Sequence, residues 1–247
     1  MNSIYTQILS NTKKNKKQLA VLIDPDKQNT KELDGLIEKA NKYKLDFWLV
    51  GGSLLVSGDL DETVKYLKNK SEIPVILFPG SPNQISKYAD GILFLSLISG
   101  RNPEMLIGNH VIAAPYIKKT NLEVLSTGYL IIDAGKQTTA SYISNSTPIP
   151  QNKPEIAACT ALAGQYLGLK NIYLDAGSGA QQPVSNEIIK EVKKVIDIPL
   201  IVGGGIKNKN QIENAYKAGA DIVVIGNALE KNDSLLADFI NIRNNFS

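Results

Sequence analysis

The chain has 247 residues, 43% of them hydrophobic and 21% charged, and a formal net charge of +3. This is ordinary globular composition, long enough for one β/α barrel, and the small charge with no basic aromatic-interleaved stripe excludes a nucleic-acid-binding surface. One cysteine, Cys159, and one histidine, His110, exclude an internal disulfide and any multi-cysteine or histidine-rich metal centre, as expected in a reducing compartment. No apolar run approaches the ~18 residues of a membrane span and no signal-like apolar core opens the chain, so a cytoplasmic protein is expected.

In chain order, residues 3–16 read as an amphipathic lead-in helix with Ile4, Ile8 and Leu9 on one side. The basic run Lys13, Lys14, Lys16 and Lys17 reads as its solvated end. A first strand is predicted over 19–23, then a helix capped by Thr30 with Leu33, Leu36, Ile37 and Ala40 at helical spacing. A strand over 47–50, a helix over 60–67 and a strand over 74–78 follow. Between the Pro79-Gly80-Ser81-Pro82-Asn83 turn and the next strand, 91–95, there is hardly room for a helix, so one β/α unit is expected to be abbreviated. Residues 96–103 read as a polar loop and 104–108 as a helix start. The segment 110–116 is either its continuation or an extra strand, with His110 a packing residue. Segments 122–126 and 129–133 form one long bent strand or a strand with a bulge at Gly128.

The Ser-, Thr-, Asn- and Pro-rich stretch 136–153 is a lid over the site or a solvated connection. A helix over 155–167 carries Cys159, whose default role is a small buried apolar residue. Then come a strand over 171–174, a helix over 186–195, a strand ending in Gly203-Gly204-Gly205, a helix around 211–218, a strand ending in Gly226-Asn227 and a closing helix over 228–240. This alternation predicts a parallel sheet, and a strand count near eight predicts closure into a single (β/α)8 TIM barrel over residues 1–247.

Two neighbouring apolar strands that stop at glycine offer backbone N–H groups with no Cβ in the way, which suits a tetrahedral anion. After the last two strands of a barrel this is a phosphate grip. The residues following the strands then share one mouth: Asp24, Asp26, Lys27, Ser53, Asp133, Asp175, Gly177-Ser178-Gly179, Gly203-Gly204-Gly205, Gly226 and Asn227. Asp24 with the Ser53 hydroxyl forms a partial shell for Mg²⁺, which takes phosphate oxygens and waters as its other ligands. Asp26 has a plain reading as a residue that turns its loop through its side chain, and Lys27 as a surface lysine.

Six blocks carry a resemblance: Leu22-Ile23-Asp24-Pro25-Asp26-Lys27, Val50-Gly51-Gly52-Ser53, Ser99-Gly100-Arg101-Asn102-Pro103, Tyr173-Leu174-Asp175-Ala176-Gly177-Ser178-Gly179, Val202-Gly203-Gly204-Gly205-Ile206 and Ile225-Gly226-Asn227. In that order they resemble the geranylgeranylglyceryl phosphate synthase family, in its archaeal-type branch more than the related bacterial heptaprenylglyceryl phosphate synthases. The resemblance implies a barrel with a reduced third helix and a homo-oligomer, dimer or hexamer. It implies sn-glycerol 1-phosphate held by Tyr173, Leu174, Asp175, Ala176, Gly177, Ser178, Gly179, Gly204, Gly205, Gly226 and Asn227, and Mg²⁺ held by Asp24 and Ser53. Some members carry Glu where this chain has Asp175. The implied reaction is Mg²⁺-dependent transfer of a long-chain prenyl group, geranylgeranyl, from its diphosphate to the terminal hydroxyl of the glycerol phosphate. Asp175 would accept or orient the hydroxyl proton, and Tyr173 would shape the site.

The apolar tail needs a groove, for which Phe78, Leu95, Leu97, Ile98 and Tyr116 are candidates. The product implies release at a membrane surface by a chain without a transmembrane segment. A phosphosugar or phosphoheterocycle isomerase or synthase is the alternative on the same barrel, and a non-catalytic phosphate-ligand sensor is a third reading.

Overall fold

Short runs of β-branched and aliphatic residues, each bounded by polar or glycine residues, are strands buried on both faces. The computed structural model describes residues 3–27 and 30–246, with 30–32 by backbone only. Eight such runs close into a parallel barrel in chain order: β1 (Gln18–Ile23), β2 (Phe47–Val50), β3 (Val75–Leu77), β4 (Gly91–Leu97), β5 (Glu123–Ile131), β6 (Asn171–Asp175), β7 (Leu200–Gly203) and β8 (Ile222–Ile225). Gln18 pairs with Ile222 to complete the ring. The helices are α1 (Ile4–Lys13), α2 (Thr30–Tyr43), α3 (Leu60–Lys70), α4 (Asn109–Ile117), α5 (Thr139–Ile143), α6 (Pro154–Tyr166), α7 (Asn186–Val195), α8 (Lys209–Ala218), α9 (Asn227–Lys231) and α10 (Leu235–Asn244).

Because successive strand side chains point to opposite faces, the core has two parts. Leu19, Val21, Trp48, Val50, Leu174, Val202 and Val223 pack outward under the helices. Ala20, Phe47, Leu49, Ile76, Leu93, Leu125, Tyr173, Ile201 and Val224 fill the barrel interior. Helix α1 closes the interior from below with Ile4 and Ile8, each burial contributing about 1.5–3 kcal/mol. Glu123, at the foot of β5, accepts the Ile4 and Tyr5 N–H groups at 2.6 and 2.9 Å and so fixes the start of that helix.

The predicted abbreviation is present: no helix joins β3 to β4. Instead Gln84 accepts the Gly80 N–H at 3.0 Å and donates to the Gly52 carbonyl at 3.1 Å, tying the two strand-end loops together. Residues 110–116 are helical, following a π-helical turn at Glu104–Gly108. The two strand-like segments around Gly128 are one nine-residue strand, paired to β4 and β6 without a bulge. A Cβ at Gly128 would lie 2.9 Å from the terminal methyls of both Ile172 and Ile98, so those side chains pack closely over the strand there. Within 136–153, Thr138 and Ser141 form a capping box for α5.

Three expectations are corrected and a fourth is not reached. The closing helix is two helices, α9 and α10, interrupted at 232–234. Lys17 is not solvated but 5% exposed, drawn inward by Asp221 at 3.6 Å. Cys159 is exposed, because α6 buries Ala157, Ala158 and Ala161 instead. Helix α2 begins at Thr30 itself, and the capping role assigned to that residue's side chain lies outside the described residues.

Candidate active site

All eight strands point their C-terminal ends to one face, where a cavity of about 690 Å³ opens. Its floor is aromatic. Tyr173 stacks on Phe78 with ring centroids 5.2 Å apart, and Tyr129 meets Tyr173 edge-on at 5.6 Å.

On one side lies the glycine grip. Gly177, Gly179, Gly204 and Gly205 line the cavity with φ of 86°, 73°, 78° and 71°, a left-handed conformation that glycine adopts without a Cβ penalty. The close approach of two loops makes Gly204 indispensable: a Cβ there would lie 2.5 Å from the Gly177 nitrogen and 2.7 Å from Asp175 Oδ1. Among the described residues, no protein acceptor takes the N–H of Ser178, Gly179, Gly204 or Gly205. Asn227 Nδ2 donates to Ser178 Oγ at 3.2 Å, bridging the loops after β6 and β8, and Gly226 completes that wall.

Asp175 ends β6 beside the grip and is 7% exposed. Its Oδ1 accepts the Gly177 N–H at 2.7 Å and its Oδ2 accepts the Tyr129 hydroxyl. Burial raises its pKa above the ordinary aspartate value, and these two hydrogen bonds oppose the rise. Burial and the neighbouring carboxylate push the tyrosine hydroxyls of both Tyr129 and Tyr173 well above their usual range, so both stay protonated.

Across the mouth, Asp24 and Ser53 follow β1 and β2 and both line the cavity. Lys27 stands 3.2 Å from Asp24 and 3.7 Å from Glu230 of α9, so a cation lies between two carboxylates. Asp26 turns away from the cavity. It accepts the N–H groups of Val56, Ser57 and Gly58 at 2.8, 3.0 and 2.5 Å, which clamps the loop carrying Ser53 onto the loop carrying Asp24. Those three bonds hold its carboxyl below the ordinary aspartate range. Among the described residues no three His, Cys, Asp or Glu side chains gather.

The rest of the cavity is apolar. Phe94, Leu95, Leu97, Met105, Ala113, Ile117 and Ile143 line it, and α5 contributes Thr139 and Ala140, so part of the 136–153 stretch borders the site. His110 packs edge-on against Phe94 at 4.5 Å as expected, but it also lines this half, with Nε2 3.2 Å from Ser96 Oγ. Burial lowers its pKa and favours the neutral ring.

Several sequence assignments change place. Leu174 and Ala176 are fully buried in the layer between strands and helices, because they alternate with Tyr173 and Asp175. Their side chains do not reach the cavity, and the Ala176 N–H is given to the Gly203 carbonyl. Asp133 is exposed outside it and accepts the Gly135 N–H at 2.9 Å. Of the tail-groove candidates, Phe78, Leu95 and Leu97 line the cavity. Ile98 packs near Gly128 and Gly164, and Tyr116 is 60% exposed on the outside of α4. Tyr129 also lines the cavity and is not singled out by the sequence. Its signal is the β5–β6 register, in which it stands opposite Tyr173, and a register is not written in either strand alone.

A family model described as the PcrB family matches residues 11–243. The geranylgeranylglyceryl phosphate synthase of Chitinophaga pinensis is 52% identical over 96% of this chain and 94% of its own length. The protein of the same name from Pyrococcus furiosus is 48% identical over 87% of this chain and 85% of its own. Among solved structures, (S)-3-O-geranylgeranylglyceryl phosphate synthase of Thermoplasma acidophilum, in complex with its substrate sn-glycerol-1-phosphate, superposes with a TM-score of 0.91. It shares 33% identity over 98% of both chains. With a closed barrel, a glycine grip beside a buried carboxylate and these relatives together, the chain belongs to the PcrB family, among the geranylgeranylglyceryl phosphate synthases.

Proposed function

We propose that this chain is a prenyltransferase that joins a long-chain prenyl diphosphate, geranylgeranyl diphosphate, to the terminal hydroxyl of sn-glycerol 1-phosphate in ether-lipid synthesis. The observation that carries this reading is the continuity of one cavity, from a glycine anion grip past a buried carboxylate to an apolar chamber. A phosphosugar isomerase has no use for the last part. The Thermoplasma acidophilum relative, in complex with sn-glycerol-1-phosphate, supports the glycerol phosphate as acceptor.

The N–H groups around Gly179, Gly204 and Gly205 take the acceptor's phosphate, which leaves its far hydroxyl beside Asp175. Holding both partners in one place converts encounter into positioning. The bond between the allylic carbon and the diphosphate oxygen breaks, the glycerol oxygen bonds to that carbon, and the hydroxyl proton passes to Asp175 as general base. Tyr173 and Phe78 form the apolar wall beneath the reacting carbon. No covalent intermediate on the protein is required.

The donor set at Asp24 and Ser53 fits Mg²⁺: hard oxygen ligands with a single carboxylate, as suits an ion that shares its shell with substrate phosphates and waters. When bound, Mg²⁺ supplies charge neutralisation for the diphosphate leaving group. Lys27, between Asp24 and Glu230, adds a fixed positive charge at the same edge.

The apolar product favours release at a membrane surface by peripheral contact; no helix among the described residues is long and apolar enough to cross a membrane. A cytoplasmic location fits this reading. The exposed apolar side chains Val111, Ile112 and Tyr116 of α4 favour a homo-oligomer, dimer or hexamer. Labelled glycerol phosphate tests the reaction directly. Label should enter an organic-extractable product with geranylgeranyl diphosphate, Mg²⁺ and the sn-1 isomer, and should stay in water with EDTA or the sn-3 isomer. Binding of phosphate ligands without transfer from any prenyl donor would overturn the reading.

A further inference from the structure

The Asp175 carboxylate is held from two sides, and only one of them belongs to its own loop. Gly177, two residues on, donates to Oδ1. The hydroxyl on Oδ2 comes from Tyr129 on the neighbouring strand. Tyr129 stands opposite Tyr173 in the β5–β6 register, on the inward face that also carries Asp175. Its ring is fixed independently of the acid, edge-on to Tyr173 at 5.6 Å and to Phe78 at 6.0 Å. The barrel therefore sets where the hydroxyl stands, and the carboxylate follows it.

We infer that Tyr129 is a positioning residue for Asp175, its hydroxyl fixing the carboxylate orientation so that the remaining oxygen lone pairs meet the acceptor's hydroxyl. This rests on the reading of Asp175 as proton acceptor given above. An aspartate held by Gly177 alone keeps rotation about its terminal torsion, whereas a second, charge-assisted hydrogen bond removes it. Catalysis is sensitive to such orientation at the level of an ångström. Gly204, where a Cβ would lie 2.7 Å from Oδ1, leaves the space beside that oxygen free of a side chain.

The titratable groups facing this carboxylate are Tyr129 from β5 and Tyr173 from its own strand, while the loop after β7 faces it with glycine backbone. Tyr129 stays protonated and so remains the donor. A hydrogen bond to the ionised acid favours that form, so its loss raises the Asp175 pKa.

Tyr129→Phe removes the hydroxyl and keeps the ring packing. The expected result is a fall in kcat of about tenfold, the size of one hydrogen bond to a charged group, with KM for sn-glycerol 1-phosphate unchanged. The acid limb of the kcat profile moves to higher pH. On an Asp175→Asn background the same substitution changes kcat little. Aspartate labelled with ¹³C at the side-chain carboxyl gives a readout independent of turnover. The Asp175 resonance, identified by its loss in Asp175→Asn, should titrate at higher pH in Tyr129→Phe. An unshifted titration and unshifted limb, or an equal loss of kcat on both backgrounds, would overturn the inference. If the unmodified protein formed no ether product, the prenyltransferase reading would fall, while the carboxyl titration would still decide whether Tyr129 acts on Asp175.

Discussion

The two rims of the barrel use the same side chain for opposite ends. At the N-terminal rim, Asp46, Asp90 and Asp221 each sit just before a strand and accept the N–H of a neighbouring strand: Leu19 at 2.8 Å, Val75 at 2.8 Å and Leu200 at 2.9 Å. Each also holds a cation: Arg243 on Asp46, Lys68 at 2.8 Å on Asp90, and Lys193 at 2.6 Å with Lys17 on Asp221. At the C-terminal rim, Asp175 holds no lysine or arginine among the described residues, and its partners there are a tyrosine hydroxyl and a loop N–H. The three acids of the N-terminal rim, saturated by cation and backbone, tie strands together; Asp175, held by neutral donors, keeps lone pairs open toward the cavity.

Substitutions at each rim can break that contrast. The largest effect is expected for Asp175→Asn, which removes the proposed proton acceptor while keeping shape. Turnover should drop roughly 10²–10⁴-fold with little change in thermal melting, measured side by side on one preparation. At the other rim, Asp221→Ala leaves the buried Lys17 and the Leu200 N–H without their acceptor. It should cost about 3–5 kcal/mol of stability, read from urea unfolding, while turnover per folded molecule is preserved at low temperature. Equal effects of these two variants on melting would erase the distinction between the rims.

Gly204→Ala comes next. A Cβ 2.5 Å from the Gly177 nitrogen, at a φ of 78°, should weaken binding of sn-glycerol 1-phosphate by roughly tenfold, or about 1.4 kcal/mol, as calorimetry would show. The smallest effect concerns Asp26, whose folded pKa is depressed by the three N–H groups it accepts. Its clamp is thus fully present above the usual aspartate range and is lost only as pH falls through the lower folded value. Amide exchange at Val56, Ser57 and Gly58, corrected for intrinsic rates, should gain extra opening on acidification, and Asp26→Asn should show that opening at neutral pH too. Protection that is the same in both proteins at neutral pH would remove Asp26 from this role.

Much of the mouth was legible because glycine after an apolar strand is a local signal with a local cause. Gly177, Gly179, Gly204 and Gly205 stand in the grip with positive φ, as backbone chemistry requires. The missing helix after β3 was also legible, since too few residues separate the Pro79–Asn83 turn from β4 to build one. What the sequence did not show was facing. Leu174 and Ala176 share a motif with Tyr173 and Asp175, yet alternation turns them to the other side of the strand. Cys159 and Lys17 depended on which helix face or loop found a neighbour, and the partner of Lys17, Asp221, lies some two hundred residues away.

The sequence by itself determined the strand ends, the glycine backbone and the acids that follow them, because turn chemistry and hydrophobic periodicity act over a few residues. Only the tertiary structure decided that Tyr129 would hold Asp175, that Asp26 would clamp the Ser53 loop, and that His110 would line the apolar half of the cavity. The physical reason is register. Closing eight strands into a ring fixes which residues stand opposite one another, and that closure is a property of all eight strands together.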